Sequence, residues 1–454
     1  MCAPTPNNTR TTLAKSRIQL PSIATSAIEN PATMSRAENQ LRTFETLWGE
    51  IHPHVRIDRN LPARIQQRLA KEKRFGSRDR RLYRELIYTA LRHLPWLETQ
   101  NTHASPSFIP HSELRISHLV LWLASDTPAT LPLKQQLLAN FPPAPATIAE
   151  RAAILEQQPA RLLPAWFREH CPAAFEPPEI DALHTRAPLW LRLQTDNPAP
   201  VFAEFTARGW TWQVSDTLPG AIELLAVNDP DLTKTEAHQR GLIEIQDLGS
   251  QLILPTALSS FSPSDLQSFS LFLDACAGAG GKTLQLARLL GPAAQIDATD
   301  PRPDALAELK TRAARANIKN IRILPQPALA SGKPRSYDAV VVDAPCSGTG
   351  TWRRSPHLKY TTTEETIRAA AARQLEILAR HAPLVRAAGI LIYATCSLSR
   401  RENEDVVTAF LADPAHAGFS LVRQNTILPA AHNTDGFFTA TLRRADDLNR
   451  LKST

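Results

Sequence analysis

The sequence predicts a multidomain protein: an all-α N-terminal domain, a small α+β domain, and an α/β core built on a mainly parallel sheet. Apolar residues recur at helical spacing from residue 37 to about residue 97. Short strand-like runs appear from Ala187, and strand-like and helical runs alternate from Gly241, which is typical of a parallel sheet covered by helices on both faces. We therefore expect a disordered tail, a helical domain, the α+β domain and the core at residues 1–33, 34–180, 181–240 and 241–454.

Composition limits the classes of function. Hydrophobic residues make up 43% of the 454 residues, which is enough for sizeable cores, and no run approaches the roughly 18 to 20 apolar residues of a membrane span. The formal charge of +7 and the pI of about 9.3 suit a nucleic-acid partner without requiring one. The five cysteines are scattered and form no CxxC pair, so we expect no metal and a reducing, cytoplasmic location.

The first 33 residues are rich in Thr, Ser, Asn and Pro, and they contain no acid before Glu29. This composition is typical of a disordered tail, and it also resembles a mitochondrial transit peptide. The only other methionine is Met34, and helical patterning starts just after it. A chain that natively begins at Met34 is therefore a third interpretation.

The period of the apolar residues predicts the elements of the last two domains. In the α+β domain we expect a helix at 201–208 and strands at 189–193, 210–214 and 221–227. In the core we expect strands at 270–273, 294–299, 321–324, 339–342 and 390–394. The core helices are expected at 283–290, 302–316 and 363–387. Such a sheet binds ligands in a crevice at the carboxyl ends of its strands.

A strongly basic segment lies in the helical domain. Residues 56–94 contain twelve Arg or Lys residues and four acids. Ser77 can cap a helix that begins at Arg78, and Arg80, Arg81 and Arg84 lie largely outside the apolar stripe of this helix. Two interpretations stay open for these arginines: a solvated helical face, or a surface that binds phosphate groups.

A glycine-rich turn follows the first core strand, where residues 274–283 read DACAGAGGKT. The spacing matches neither a P-loop nor the dinucleotide fingerprint. It fits the shorter turn that is used for S-adenosylmethionine, in which backbone amides and a helix N-terminus approach the ligand. Asp300 ends the next strand and is placed to accept hydrogen bonds from ribose hydroxyls, or alternatively to cap a helix before Pro301.

Two cysteines follow two later strands. Asp343 and Cys346 lie in the stretch DAPCSGT, and Cys396 follows the run that ends at Ala394. One interpretation is a pair of buried structural cysteines. The other is the set needed to methylate carbon 5 of cytosine: a thiolate that adds to carbon 6, an acid near ring nitrogen 3, and a helper group. The positions at strand ends favour the second interpretation.

These residues closely resemble the RNA 5-methylcytosine methyltransferases of the rRNA-methylase B/nucleolar-protein type. DACAGAGGKT is similar to the family's DxCAAPGGKT cofactor motif, with Gly278 and Ala279 where the family has Ala and Pro. DAPCSGTG with its following WRRSP resembles the fourth motif, and TCS with its following Glu402-Asn403-Glu404 resembles the sixth. QDLGSQ at 246–251 and DGFF at 435–438 also match.

The resemblance implies roles that spacing alone leaves open. It implies a Rossmann-like methyltransferase core in which Cys396 is the nucleophile, Cys346 assists product release, and Asp343 contacts base and cofactor. It also implies a set of residues that hold S-adenosylmethionine: Cys276, Ala277, Gly278, Ala279, Gly280, Gly281, Lys282, Asp300, Gln326 and Asp343. Gln326 stands where the family often has an acid.

The basic helical segment is similar to the NusB-like RNA-binding domain of the bacterial small-subunit rRNA branch. This resemblance rests on Ser77-Arg78-Asp79-Arg80 with Glu85-Leu86-Ile87-Tyr88, and it implies RNA contacts at the four arginines. We therefore expect a monomeric enzyme that methylates carbon 5 of cytosine in small-subunit (16S) rRNA. The alternatives are the same reaction on tRNA, and an inactive rRNA-binding assembly factor.

Overall fold

A computed structural model of the chain describes residues 35–100, 115–225, 230–324 and 336–446. These residues form a helical N-terminal region, a four-stranded sheet and a seven-stranded sheet, in that order. Within these ranges, every helix is too short or too polar to cross a membrane.

The helical region forms one apolar core. Its α-helices are Arg36–Ile51 (α1), Leu61–Lys71 (α2), Ser77–Gln100 (α3), Ile116–Leu123 (α4), Leu131–Leu137 (α5), Ile148–Ile154 (α6) and Pro177–His184 (α7). α1 begins where the side chain of Ser35 accepts a hydrogen bond from the amide of Glu38. The apolar stripe of α3 is buried, as its periodicity predicts.

The small sheet is antiparallel, with strand order β2-β3-β1-β4. Its strands are Leu189–Leu193 (β1), Thr211–Val214 (β2), Ala221–Leu225 (β3) and Ile243–Ile245 (β4). The accompanying helices are Ala199–Ala207 (α8) and Glu236–Gln239 (α9). The domain boundary predicted at residue 240 is wrong, because β4 pairs with β1. A strand of three residues is too short for a periodicity to reveal it. Residues 226 and 227, which were predicted to extend β3, lie outside the described residues.

The large sheet has the strand order β10-β11-β9-β8-β5-β6-β7. Its strands are Leu271–Asp274 (β5), Gln295–Ala298 (β6), Ile321–Ile323 (β7), Tyr337–Asp343 (β8), Val385–Thr395 (β9), Phe419–Ile427 (β10) and Phe437–Arg444 (β11). β5 to β9 are parallel, whereas β10 and β11 pair antiparallel at one edge. The mainly parallel sheet predicted from the alternation of runs is confirmed.

The helices of the core are Leu248–Leu258 (α10), Pro263–Ser268 (α11), Gly281–Leu290 (α12), Pro303–Arg315 (α13), Leu358–Thr361 (α14), Glu364–His381 (α15), Glu404–Ala412 (α16) and Pro429–His432 (α17). The helix predicted at 363–387 ends at His381, because Pro383 interrupts it and β9 begins at Val385. Strand order reverses between β5 and β8, so the ligand crevice of such a sheet opens above these two strands.

The helical region packs directly on the loops that follow β8 and β9. Trp352 and Leu398 belong to its apolar core, and the rings of Trp352 and Phe167 lie 4.5 Å apart between centroids. Trp352 lies six positions after Cys346, and Leu398 lies two positions after Cys396. The helical region therefore supports the active-site loops as well as its own fold.

A buried lysine strengthens this contact. Lys359 of α14 is 3% exposed, and its Nζ atom donates to the carbonyl oxygens of Arg92 and Leu162 at 3.0 and 3.1 Å. A third bond reaches Nε2 of His184 at 3.1 Å. Because Nδ1 of His184 donates to the carbonyl of Ile180, Nε2 must be the unprotonated acceptor. Burial lowers the pKa of Lys359 to about 7 and, together with the lysine charge, holds the pKa of His184 well below its ordinary value.

We expect the protein to lose stability as the pH falls below about 6.5. Burial lowers the pKa of His93 to about 3 and that of neighbouring His184 well below 6.5, so both rings stay neutral when folded. At each of these two rings the unfolded chain binds a further proton, which costs roughly 1.4 kcal/mol per histidine at pH 5.5. Urea unfolding at pH 7.5 and pH 5.5 measures the difference. His93→Gln should reduce this difference by roughly 1.4 kcal/mol, and an equal loss in both proteins would contradict the assignment.

Candidate active site

The ends of four parallel strands bring the predicted site residues together. A cavity of about 740 Å³ opens above the carboxyl ends of the core sheet. It is lined by most of the residues that the sequence singled out: Cys276, Ala277, Gly278, Ala279, Gly281, Lys282, Asp300, Asp343, Cys346 and Cys396. These residues are separated by up to 120 positions in the chain, and the parallel sheet makes them neighbours.

The glycine-rich turn is fixed by its surroundings. Gly280 has a φ of +91°, and a Cβ atom there would lie 2.2 Å from Cδ1 of Leu309, so a side chain is excluded. Gly280 itself packs away from the cavity, against α13. Asp274 is fully buried and accepts a hydrogen bond of 2.7 Å from the hydroxyl of Thr283. Burial raises the pKa of Asp274 to about 6. The turn therefore presents its backbone to the cavity in one conformation.

Asp300 lies where the ribose-binding acid was predicted, and its carboxylate is already fully engaged. One oxygen accepts from the amide of Gly278 at 2.9 Å, and the side chain of Arg302 donates to both oxygens. Burial alone would raise the pKa of Asp300, but these hydrogen bonds bring the pKa below its usual range. The Arg302 side chain is 69% exposed, so it can rotate away and free the carboxylate.

The side chain of Lys282 forms an ion pair with Asp343. Its Nζ atom lies 2.8 Å from Oδ2 of Asp343 and 3.3 Å from the hydroxyl of Ser250. The lysine side chain is 8% exposed, whereas that of Asp343 is 32% exposed and faces the cavity. The ion pair therefore orients the aspartate and keeps one face of its carboxylate accessible.

The two cysteines form a pair. Their Sγ atoms lie 3.2 Å apart, within hydrogen-bond distance, and both line the cavity. The hydrogen bond between the thiols lowers the pKa of Cys396 and, together with burial, raises that of Cys346. The charges of Arg354 and Lys282 also lower the pKa of Cys396, whereas burial and the Asp343 carboxylate raise it. This order of pKa values favours Cys396 as the thiolate.

A buried carboxylate joins the two cysteine loops. Glu402 is fully buried, and one of its oxygens accepts from the amide of Ser347 at 2.8 Å and from Nε2 of Gln374 at 3.0 Å. The other oxygen accepts from the hydroxyl of Ser397 at 2.6 Å and from that of Ser347. Ser347 follows Cys346, and Ser397 follows Cys396. One side chain therefore sets the distance between the two thiols.

Backbone contacts hold the same loops. The amide of Gly350 donates to the carbonyl of Cys396 at 3.0 Å, and the carbonyl of Gly350 accepts from Gly436 at 2.8 Å. A Cβ atom at position 350 would lie 2.0 Å from the Gly436 carbonyl oxygen, so only glycine fits. The loop after β8 is thus clamped between the loop after β9 and the start of β11.

Sequence reasoning missed Glu402 and Arg354 as site residues. Arg354 lines the cavity, and its Nε atom lies 3.0 Å from Oδ2 of Asp435, which is 1% exposed. Burial raises the pKa of Asp435 to about 7. Glu402 and Arg354 both stand in the motifs quoted above. Their local sequence pattern does not distinguish a loop residue that contacts another loop from one that faces solvent.

The remaining predicted residues lie elsewhere. Gln326 falls outside the described residues. The four arginines of α3 do not line the active-site cavity; Arg81 and Arg84 line a second cavity, whereas Arg78 and Arg80 do not. Among the described residues, no group of three or more His, Cys, Asp or Glu side chains is arranged to hold a metal ion.

The catalytic part of the chain matches a known family. Residues 262–443 fit the family model described as 16S rRNA methyltransferase RsmB/F. The family resemblance predicted from the motifs is confirmed.

Relatives of this RsmB/F type occur across bacteria. The chain is 28% identical over 428 residues to ribosomal RNA small subunit methyltransferase B of Serratia proteamaculans, covering 82% of this chain and 92% of that relative. It is 31% identical over 266 residues to the "Probable ribosomal RNA small subunit methyltransferase B" of Bacillus subtilis, covering 54% of this chain. The Bacillus match spans 57% of that relative's length.

Solved structures share the fold. The crystal structure of PH0851 matches 91% of this chain and 100% of its own with a TM-score of 0.65 at 20% identity. A methyltransferase homolog from Pyrococcus horikoshii matches 61% of this chain and 93% of its own with a TM-score of 0.51 at 21% identity. The predicted helical region followed by a Rossmann-like core is confirmed, whereas the NusB-like character of the helices stays a prediction.

We expect Glu402→Ala to destabilise the protein by about 3 kcal/mol, because buried donors on both cysteine loops lose their acceptor. Glu402→Gln should cost less, roughly 1 kcal/mol, because the hydroxyls of Ser347 and Ser397 can rotate and accept from the amide. Thermal unfolding measures both losses. The rate at which a disulfide reagent labels the site thiols should rise in the alanine variant alone. Equal effects of the two variants would show that Glu402 does not hold the loops.

Proposed function

We propose that the protein transfers a methyl group from S-adenosylmethionine to carbon 5 of a cytosine in small-subunit rRNA, through a covalent adduct with Cys396. One observation carries the proposal. Two thiols lie 3.2 Å apart at the ends of adjacent parallel strands, and they face the same cavity as a carboxylate and a glycine-rich turn. A pair of structural cysteines would not require this access to a cavity.

The cavity suits the cofactor. Its volume of about 740 Å³ lies within the range of small-molecule sites, and the turn before α12 offers backbone to a nucleoside ligand. We assign the ribose hydroxyls to Asp300, after Arg302 rotates away, and the rest of the cofactor contacts to residues 276–282 and Asp343. When bound, S-adenosylmethionine supplies the electrophilic methyl group and leaves as S-adenosylhomocysteine.

The chain's own groups activate the base. The Cys396 thiolate adds to carbon 6 of the cytosine, which makes carbon 5 nucleophilic enough to take the methyl group. Asp343 forms the hydrogen bond at ring nitrogen 3 that holds a proton there while the adduct exists. Its ion pair with Lys282 keeps the carboxylate in position.

Release reverses the addition. The proton on carbon 5 passes to a base, the electron pair re-forms the ring double bond, and the bond from carbon 6 to sulfur breaks to return the Cys396 thiolate. Cys346 assists this step, and its thiol lies close enough to Cys396 to act on the same adduct. The target base must leave its stack to reach Cys396, so the RNA is single-stranded or locally opened.

Ribosomal RNA as the substrate is supported by the names of the relatives, which are small-subunit rRNA methyltransferases. The basic face of α3 adds a surface for phosphate groups. Bisulfite sequencing of total RNA from a strain that lacks the gene tests the substrate directly. Loss of one methylated cytosine in small-subunit rRNA is the expected result. Loss in tRNA, or no loss at all, would overturn the proposal.

We expect Cys396→Ala to abolish methylation and to leave S-adenosylmethionine binding largely intact, because the thiol acts on the base. Cys346→Ala should accumulate a covalent RNA adduct, visible as a slow band on a denaturing gel. Cys171→Ala is the matched control, since this buried cysteine lies in the helical region and should change neither readout. Methylation near wild-type levels by Cys396→Ala would refute the nucleophile, and the absence of an adduct in Cys346→Ala would refute the release role.

We also expect substitutions of Asp300 and of Arg302, its ion-pair partner, to have different effects on the affinity for S-adenosylmethionine. Asp300→Asn should weaken S-adenosylmethionine binding on the order of tenfold, because a charged acceptor is lost. Arg302→Ala should strengthen binding or leave it unchanged, because the guanidinium no longer competes for the carboxylate. Calorimetric titration measures both affinities. Weaker binding in Arg302→Ala would show that the arginine holds the cofactor instead.

A further inference from the structure

We propose that the nucleotides on one side of the target cytosine bind as single-stranded RNA in a second cavity, where the helical region, the small sheet and the core meet. The inference deepens the proposed function and rests on it. The cavity has a volume of about 570 Å³, and residues from all three units line it. α3 contributes Arg81, Arg84, Tyr88 and Arg92; the segment leading into β1 contributes Arg186; and the core contributes Arg354.

Arg354 connects the two cavities. It lines the active-site cavity together with Cys346 and Cys396, and it also lines the junction cavity. Its side chain is 47% exposed, and the buried carboxylate of Asp435 holds it at 3.0 Å. An RNA strand whose base reaches Cys396 therefore passes Arg354, and the next nucleotides enter the junction cavity.

Five arginines and three acids, namely Glu85, Asp126 and Glu223, line the junction cavity, so its excess of positive charge suits phosphate groups. The carboxylate of Glu85 lies 3.8 Å from the guanidinium of Arg92 and 3.7 Å from that of Arg186, so one carboxylate faces two guanidinium groups. Arg92 is 5% exposed, and its Nε atom has no hydrogen-bond partner among the described residues. A buried guanidinium that is incompletely paired favours an anionic ligand, and a phosphodiester can accept several charge-assisted hydrogen bonds.

The shape and the aromatic residue favour a single strand. Tyr88 is half-buried in the wall, where its ring can stack on a base. Arg353 ties the wall to the catalytic loop, because its guanidinium donates to the carbonyl of Arg186 at 3.1 Å and to Oδ1 of Asn433 at 2.8 Å. The junction is thus held in a fixed position relative to the cysteines, and its volume of about 570 Å³ has room for a few nucleotides of a single strand but not for a duplex.

The test compares three RNAs cut from the methylated region of small-subunit rRNA. One RNA continues on both sides of the cytosine. Each of the two truncated RNAs ends next to the cytosine on one side, a different side in each. With wild-type protein, truncation on one side only should raise KM on the order of tenfold, whereas truncation on the other side should have little effect. In Arg186→Glu this advantage of the longer RNA should be lost. Arg240→Glu is the matched control, because Arg240 is an exposed residue just after α9 and lies outside both cavities. This variant should keep the advantage of the longer RNA.

A photo-crosslinking amino acid in place of Tyr88 provides a readout that does not depend on the charge variants. The crosslink should map to a nucleotide adjacent to the methylated cytosine, on the side that truncation identifies. Crosslinks to a distant or double-stranded region, or an equal advantage of the longer RNA in Arg186→Glu and wild type, would overturn the inference. Failure of the proposed function is distinct, because wild-type protein would then methylate none of the RNAs.

Discussion

The active site depends on one buried carboxylate. Glu402 carries no solvent contact, and it accepts hydrogen bonds from both loops that carry a cysteine. A buried charge is costly unless every oxygen is satisfied, so this carboxylate is stable only when both loops are in place. The same condition brings the two Sγ atoms to 3.2 Å and polarises the pair toward a thiolate at Cys396.

The rest of the chain supports these loops from two sides. The helical region receives Trp352 and Leu398 in its core, and Lys359 satisfies its charge there with two carbonyls and a neutral histidine. On the opposite side, Arg192 of β1 donates to the carbonyl of Gly281 at 2.9 Å. Arg312 joins Glu244 of β4 to the carbonyl of Ala279 at 2.7 Å. The helical region and the small sheet therefore both make direct contacts with the loops and the turn that form the site.

For the proposed function, this arrangement couples RNA binding to the chemistry. The surfaces proposed to contact RNA are fixed to the catalytic loops by Arg353 and Arg354, so a nucleotide bound in the junction cavity is positioned relative to Cys396. The cofactor turn is held by different contacts, through the small sheet.

The sequence alone determined the class of fold and the residues at the strand ends. Helical and strand periods are local, and the spacing from a buried run to the next polar residue places Asp300, Asp343 and Cys396 at the sheet edge. Local patterns could not reveal β4 or the role of Glu402, because each depends on what packs against it, whereas Pro383 marks the end of α15 within the sequence itself. Only the tertiary structure decided that Arg81 and Arg84 line a cavity while Arg78 and Arg80 do not, and that two thiols fifty residues apart are in contact. The cavity arises from the packing of three units and the thiol contact from the pairing of β8 with β9, and no single stretch of sequence encodes either.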